Sequence, residues 1–162
     1  MNELFAPPGN DWRPVSPQLA RMRRVVLCVL VSLGILAVIV LMVILGFSGW
    51  LVLPLVVLPA VLGLGWGLVG RNARAWGYAE REEDLYIKHG VMFRELVAVP
   101  YGRMQYVDVT SGPLEQLFGI ASVHLHTAST RTNAQIPGLP KEEAARLRDR
   151  LTSLGEAQAA GL

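Results

Sequence analysis

The stretch "GPLEQLFGIASVHLHTAS", residues 112–129, has the most specific pattern in this chain of 162 residues. Pro113 suits the first position of a helix, and Gly119 suits the position just after its end. The apolar residues between them are spaced i, i+3 and i+4: Leu114, Leu117 and Phe118. This spacing predicts one face of a short helix. The residues that follow alternate, which predicts a strand.

The two histidines of this stretch, His124 and His126, share one face of the predicted strand. The opposite face carries Val123, Leu125 and Thr127 and is the predicted core. A zinc site needs three or four ligands, and the sequence has only three histidines in all. We therefore expect an exposed strand face, with no metal and no cofactor. Metal binding and a pH-sensing role stay as minor alternatives.

A run of 46 residues, from Val25 to Gly70, contains no Asp, Glu, Lys, Arg or His. At about 20 residues per crossing, it has the length of two transmembrane helices. The segment "GFSG", residues 46–49, suits a tight turn within the run. We predict a transmembrane hairpin over residues 21–70, with spans at about 25–46 and 51–69. One very long helix is the competing interpretation.

The charges that flank the apolar run are all positive. Arg21, Arg23 and Arg24 precede it, Arg71 and Arg74 follow it, and the connecting loop has no charge. Short positively charged flanks stay in the cytoplasm. Both termini and the domain after the second span are therefore expected there, and the positive flanks are expected beside anionic lipids.

The part of the chain that follows the second span is formally neutral. Residues 71–162 contain 11 Lys and Arg against 11 Asp and Glu. A nucleic-acid-binding domain normally shows a basic face, so we expect no nucleic-acid partner.

The second span carries a stripe of small residues at helical spacing, which includes a GxxxG pattern: Ala60, Gly63, Gly67 and Gly70. Such stripes let two helices approach closely. The favoured interpretation is that the stripe packs on the first span, near Ser32 and Gly34. The alternative is an interface with another membrane protein.

The rest of the chain predicts a small antiparallel domain between two irregular ends. Residues 1–20 contain four prolines and no periodicity, which predicts an irregular arm. Strands are predicted at residues 76–82, 84–90, 91–100, 103–110, 120–128 and 131–138. A helix follows Pro140, with one apolar face formed by Ala144, Leu147, Leu151 and Leu154. The domain is predicted to span residues 71–154, followed by a flexible tail, 155–162.

Two segments in this order resemble a known family. The first is "PYGRMQYVDV", with Pro100, Arg103, Gln105 and Val107. The second is the stretch from residue 112, with Gly112, Pro113, Leu114, Phe118, Gly119, Ala121, Val123, Thr127 and Ala128. Together with the hairpin, residues 20–154 resemble the bacterial pleckstrin-homology (PH-like) membrane proteins, the YdbS-like family.

The resemblance implies a PH-like β-barrel or sandwich of antiparallel strands, capped by the C-terminal helix, on a transmembrane hairpin in the bacterial cell (inner) membrane. It implies no known enzymatic activity. Members often accompany a related larger protein, and some are tied to envelope stress or to resistance against antimicrobial peptides. Many carry a glycine-rich loop where this chain has "TASTRTNAQI", residues 127–136. No functional residues are carried over from the family.

Three functions are compatible with these patterns. The first is a membrane-anchored interaction module, a non-enzymatic subunit or scaffold of a membrane complex, whose partner is a membrane protein such as a larger PH-like relative. The second is lipid headgroup binding at the inner leaflet, with Arg94, Arg103 and Arg131 as candidate cations. An enzyme is the weakest alternative, because GxSxG, HExxH and Walker patterns are missing.

One acidic segment, "EREED" at residues 80–84, also calls for an interpretation. We expect a solvated loop near the membrane end of the domain. The alternative is a contact for a basic partner.

Overall fold

A computed structural model of the protein describes residues 12–46, 49–127 and 134–159. The chain divides into two compact units. One is the segment Ala20–Arg71, and the other joins the chain before Ala20 to the chain after Arg71. Each unit is described by itself.

The first unit is a helical hairpin. Helix α1 covers Pro17–Leu45, and helix α2 covers Val52–Ala75 after a single 3₁₀ turn at Gly49–Leu51. Both helices are long and apolar enough to cross a membrane, and only 6% and 0% of their apolar stretches are buried within the chain. A core helix of a soluble protein would be mostly buried. These helices expose large apolar side chains such as Leu30 and Leu53 instead, as spanning helices do in lipid.

The two helices approach each other closely at two glycines. A Cβ atom added to Gly65 would lie 2.7 Å from a methyl group of Leu27, and one added to Gly34 would lie 3.4 Å from Leu58. Small residues at such positions allow the close approach that stabilises helix pairs in lipid. The tip of the hairpin, at residues 47–48, lies outside the described residues.

The second unit contains two antiparallel sheets. The four strands of the first sheet follow chain order: β1 (Arg13–Pro14), β2 (Gly77–Glu80), β3 (Asp84–His89) and β4 (Glu95–Pro100). The second sheet has three: β5 (Met104–Thr110), β6 (Ile120–Thr127) and β7 (Ala134–Pro140). In the described part of the chain no strand of one sheet pairs with a strand of the other, so the two sheets do not form a closed barrel.

Two further helices complete this unit. The short helix α3 covers Pro113–Leu117, and the long helix α4 covers Lys141–Ala159. The predicted apolar face of α4 packs on the sheets, where Ala144, Leu147 and Leu151 are almost completely buried. The helix continues through residues 155–159, so the prediction of a flexible tail from residue 155 is wrong for them. Residues 160–162 lie outside the described residues.

The prediction of an irregular arm over residues 1–20 is wrong for residues 13–20. Arg13 and Pro14 form β1, which pairs with β2, and helix α1 already begins at Pro17. The amide of Ser16 donates to the carbonyl of Gly138, 2.9 Å away, and Leu19 is buried against the same glycine. Prolines did not prevent this, because an edge strand and a first helical turn both tolerate a missing N–H. Residues 1–11 lie outside the described residues.

The first sheet has two distinct ends. At the junction end, the chain passes from β1 into α1 and from α2 into β2, and Gly77 pairs with both Pro14 and Lys88. The far end holds Glu80 and Asp84, and Asp84 pairs with the last residue of β4. The "EREED" segment therefore lies at the far end of the strands, away from the residues that lead into α1 and out of α2. Its place relative to the membrane stays a prediction.

The hairpin between β3 and β4 differs from its prediction in one respect. A strand was expected over residues 91–100, but β4 begins only at Glu95, and residues 90–94 form a loop at the junction end. Gly90 opens this loop with φ +97°, a conformation that glycine adopts easily. The alternating pattern of the sequence did not reveal the loop, because its apolar residues resemble a strand.

Candidate functional site: the groove beside β5

Strand β5 is an edge strand. In the sheet of the described residues it pairs with β6 alone, and its register shifts at a bulge between Met104 and Tyr106. The unpaired edge of a strand presents backbone N–H and C=O groups that can accept a further strand. The bulge also ends the alternation that the sequence predicted, since Met104 is half-buried while Gln105 and Tyr106 are both exposed.

A cavity of about 330 Å³ lies between β5 and the C-terminal half of α4. Residues 104–107 line one side, and Leu151, Thr152, Gly155 and Glu156 line the other. Leu151 is buried and Val107 half-buried, whereas Thr152 and Glu156 are exposed. We call this cavity the β5 groove. It combines an apolar inner part with a polar rim, as sites for short segments and small ligands do.

The predicted core face of β6 is confirmed, but the histidine face, which was expected to be exposed, is half-buried. Val123 and Leu125 are fully buried in the core, and the histidines lie on the other face. The His126 ring stacks on Tyr106 of the β5 groove, with centroids 4.3 Å apart, and Nε2 of His124 lies 3.1 Å from the hydroxyl of Thr110. Among the described residues, no group of three or more His, Cys, Asp or Glu side chains is placed to hold a metal ion.

A cluster of charged side chains joins the far end of the first sheet to α4. The side chain of Glu80, only 10% exposed, forms ion pairs with Arg146 and with Arg150, the latter at 3.0 Å. Arg146 also pairs with Glu143 at 2.7 Å. The Tyr78 hydroxyl donates to Glu143 at 2.6 Å, and Arg13 of β1 reaches the same carboxylate at 3.1 Å. The sequence analysis missed this far-end cluster, because its members come from three segments that are more than 60 residues apart in the chain.

The contacts of the far-end cluster shift the ionisation of two members. Hydrogen bonds from Arg146 lower the pKa of Glu143 to about 2, against the penalty of partial burial. Burial raises the pKa of Tyr78 to about 12, with a further contribution from its hydrogen bond to Glu143. Both shifts are typical of groups held in a fixed network. Structural ion-pair networks shift pKa values just as active sites do. This cluster connects β1 and β2 with α4.

The motif from residue 112 is held by its own side chains. Glu115 accepts a hydrogen bond from the amide of Gly112 at 2.9 Å and another from the hydroxyl of buried Ser122 at 2.8 Å. Ser111 donates to the carbonyl of Ile120 at 3.0 Å. The predicted helix with Pro113 at its start is confirmed, and so is the turn at Gly119, with φ +66°.

The other motif residues occupy structural positions. Pro100 ends β4, Arg103 is exposed in the 3₁₀ turn that follows, and Gln105 is the exposed bulge residue. Thr127 ends β6 and is buried. Of the remaining motif residues, Leu114 in α3 is exposed, and Phe118 directly after α3 is half-buried. Ala128 lies outside the described residues.

The stripe of small residues does not behave as the favoured interpretation expected. A Cβ added to Gly63 or Gly67 would meet no heavy atom within 4 Å, and Ala60 is exposed. Packing of these three on the first span is therefore wrong. The contact is made by Gly65, a glycine outside the stripe, and by Gly70, which lies against the guanidinium of Arg24.

The cations proposed for a lipid headgroup are not brought together. Arg94 precedes β4 at the junction end, and Arg103 follows it at the far end. The six residues of the strand, about 20 Å, separate them. Arg131 lies outside the described residues.

Comparison with known proteins agrees with this architecture. The chain matches the family described as "Bacterial PH domain" over residues 24–154. The chain therefore belongs to the bacterial PH domain family, a family of transmembrane proteins and not of known enzymes. It is similar to a protein of Bacillus subtilis (strain 168) named "UPF0699 transmembrane protein YdbS", with 30% identity over 157 residues, which is 91% of this chain and 92% of the relative. No solved structure matches the chain.

Proposed function

We propose that the protein is a membrane-anchored interaction module whose β5 groove binds an extended segment of another membrane protein. The free edge of β5 beside an apolar groove carries this proposal. An extended segment that joins a sheet edge gains backbone hydrogen bonds, and its alternate side chains enter the neighbouring groove. The module acts without catalysis, as a subunit or scaffold of a membrane complex.

The family resemblance points to a larger PH-like relative as the first partner to seek and to envelope stress as the setting. The exposed stripe at Ala60, Gly63 and Gly67 offers a second contact, because a smooth helical face suits a partner helix in lipid. The groove and the stripe lie in different units of the chain, so variants can test them separately.

Copurification from native membranes in mild detergent tests the proposal. The wild-type chain is expected to recover a membrane protein in stoichiometric amount. Thr152→Trp, which places a bulky ring in the β5 groove, is expected to lose it, while Ser153→Trp on the next exposed position of α4 is expected to keep it. Recovery of the wild-type chain alone, or equal recovery by both variants, contradicts a partner in this groove.

For orientation we propose that both termini and the sheet domain lie in the cytoplasm, with the hairpin tip outside the inner membrane. The five arginines that flank the apolar run support this arrangement. A green fluorescent protein fused to either terminus should fluoresce, and an alkaline phosphatase fused there should be inactive. Active phosphatase at the C-terminus contradicts the orientation.

A further inference from the structure

The most exposed apolar side chains of the sheet domain lie in the loop at residues 90–94. Met92 and Phe93 are each 86% exposed, more than the 79% of Val43 on the spanning helix α1. A single exposed apolar residue is common on protein surfaces, but two adjacent large ones at a loop tip mark an interaction site. Their exposure matches that of side chains that face lipid.

The backbone of this loop is held in one shape. Gly90 has φ +97°, and a Cβ atom there would collide with the carbonyl oxygen of Phe93. Strand pairing begins directly on either side of the loop, where His89 of β3 pairs with Glu95 of β4. Met92 and Phe93 therefore lie beyond the paired strands, with both side chains exposed.

The loop lies at the junction end of the first sheet. Trp76, the residue after α2, stacks on His89 with ring centroids 4.7 Å apart. Trp12, just before β1, lies over the ammonium of Lys88 at 4.1 Å. Both tryptophans therefore contact side chains of β3, the strand that leads into the loop, and β2 pairs with this strand.

The chain between the apolar runs and this end is short. Residues 71–75 are helical and separate Gly70 from Trp76, which corresponds to about 9 Å at 1.5 Å per residue. On the other side, residues 17–24 of α1 precede the apolar run and correspond to about 12 Å. The headgroup layer on each side of the hydrocarbon core is about 5–8 Å thick. Short helical segments therefore connect both apolar runs to the end of the sheet that carries the loop.

We propose that the loop at residues 90–94 inserts Met92 and Phe93 into the headgroup–hydrocarbon boundary of the membrane that its own helices span. Apolar and aromatic side chains are stable there, and tryptophans such as Trp12 and Trp76 are enriched at the same depth. The occupant is the bilayer, because the spanning helices already tether this end of the sheet to it. Insertion supplies a third attachment beside the two helices and fixes how the domain faces the membrane. This membrane contact is separate from the proposed binding of a protein partner and does not depend on the β5 groove.

Depth-dependent quenching in proteoliposomes tests the insertion with the full-length chain. Single cysteines replace Met92, Phe93 or, as a matched control at the far end, exposed Glu82, each in a Cys28→Ala background. Each cysteine carries an environment-sensitive fluorophore, and the lipids carry a spin-label quencher at the headgroup–hydrocarbon boundary. Quenching at 92 and 93 is expected to exceed quenching at 82 severalfold and to persist at high salt. Phe93→Ser is expected to reduce quenching of the label at 92.

Two results would overturn the proposal. One is a label at 92 and 93 that has water-like emission and is quenched no more than the label at 82. The other is a loop that is exposed to water in pure lipid but protected in native membranes, which would identify a protein and not the bilayer as its cover. These outcomes are independent of the copurification, because the proteoliposomes contain no partner.

Discussion

The two ends of the first sheet are formed by the same strands but differ in which groups they expose to solvent. At the far end, Glu80 is withdrawn from solvent and surrounded by Arg146 and Arg150 of α4. At the junction end, Met92 and Phe93 extend into the surroundings without burial. Burying a charge is costly unless it is paired, and exposing large apolar groups to water is unfavourable.

This difference indicates at which end the domain satisfies its charged and apolar groups without a further contact. The far-end cluster satisfies its own charges and needs only the domain. The junction end exposes large apolar side chains where the chain enters its spanning helices, and the proposed membrane insertion would cover them. We expect changes to the far-end cluster to reduce stability, and replacement of the exposed apolar side chains at the junction end to alter membrane attachment instead.

Apart from the core substitution that serves as a control below, the largest expected effect is that of Arg146→Met at the far end. Removing this guanidinium leaves Glu80 with Arg150 and the weaker Arg13 contact, and it removes the pair with Glu143. Breaking a partly buried ion pair of this kind is expected to lower the free energy of unfolding by about 2–3 kcal/mol. Chemical unfolding in detergent micelles measures it. Arg148→Met, whose partner Asp149 is exposed, is the matched control and should cost less than about 1 kcal/mol. Equal losses would contradict a structural role for the cluster.

Gly90→Ala at the junction end comes next. A side chain at φ +97° that meets the carbonyl of Phe93 strains the loop, and such strain is expected to cost about 1–2 kcal/mol. Gly112→Ala, at φ −70° with only the Glu115 carboxylate at an ordinary contact distance of 3.9 Å from its Cβ, should cost less than about 1 kcal/mol, the loss expected for alanine at an N-cap. Thermal unfolding of both variants in micelles compares them. If Gly90→Ala were as stable as Gly112→Ala, the loop would not be held in the shape described.

Acidification should weaken the far-end cluster selectively. Glu143 has a folded-state pKa of about 2 against an ordinary value of 4.5, so the unfolded chain takes up its proton first as the pH falls. Stability from this group is fully present above pH 4.5 and is lost as the pH falls towards 2. Solvent screening leaves about 1 kcal/mol. Unfolding measured across this window should show the loss, and Glu143→Gln should remove that part of the pH dependence. An unchanged slope in the variant would contradict the assignment.

The smallest effect on stability is expected from the double substitution Met92→Ser and Phe93→Ser. Both side chains are exposed and the domain does not bury them, so the free energy of unfolding should change by less than about 0.5 kcal/mol. Leu85→Ala in the same hairpin removes a fully buried side chain and should cost about 2–5 kcal/mol. Chemical unfolding in micelles distinguishes them. A large loss in the double variant would mean that the tip supports the fold and not an attachment.

Features that repeat within a few residues were predictable. The spanning helices followed from the uncharged run, and α3 followed from Pro113, Gly119 and the apolar spacing between them. The outward face of the histidines followed from strand alternation. The β5 groove, in contrast, depends on how α4 crosses an edge strand with a bulge, and no local pattern records either.

The sequence-based predictions were wrong where one local pattern is compatible with two different structures. The small-residue stripe of α2 suited packing on α1, yet the contact uses Gly65 on another face, because the rotation of one helix against another is set by all contacts together. Residues 13–14 contain a proline and yet form a strand, because β2 offers a free edge beside them.

By itself, the sequence determined that the protein spans a membrane twice and continues into a small antiparallel domain of the bacterial PH family. Charge-free length, alternation and helical spacing act over short distances, and those distances are visible in a sequence. Only the tertiary structure decided three features. Glu80 is enclosed by arginines of α4, β5 has an edge beside a groove that pairs with no other strand of the described residues, and Met92 and Phe93 lie at the junction end. Each of these depends on strand register and helix placement, which bring together residues far apart in the chain.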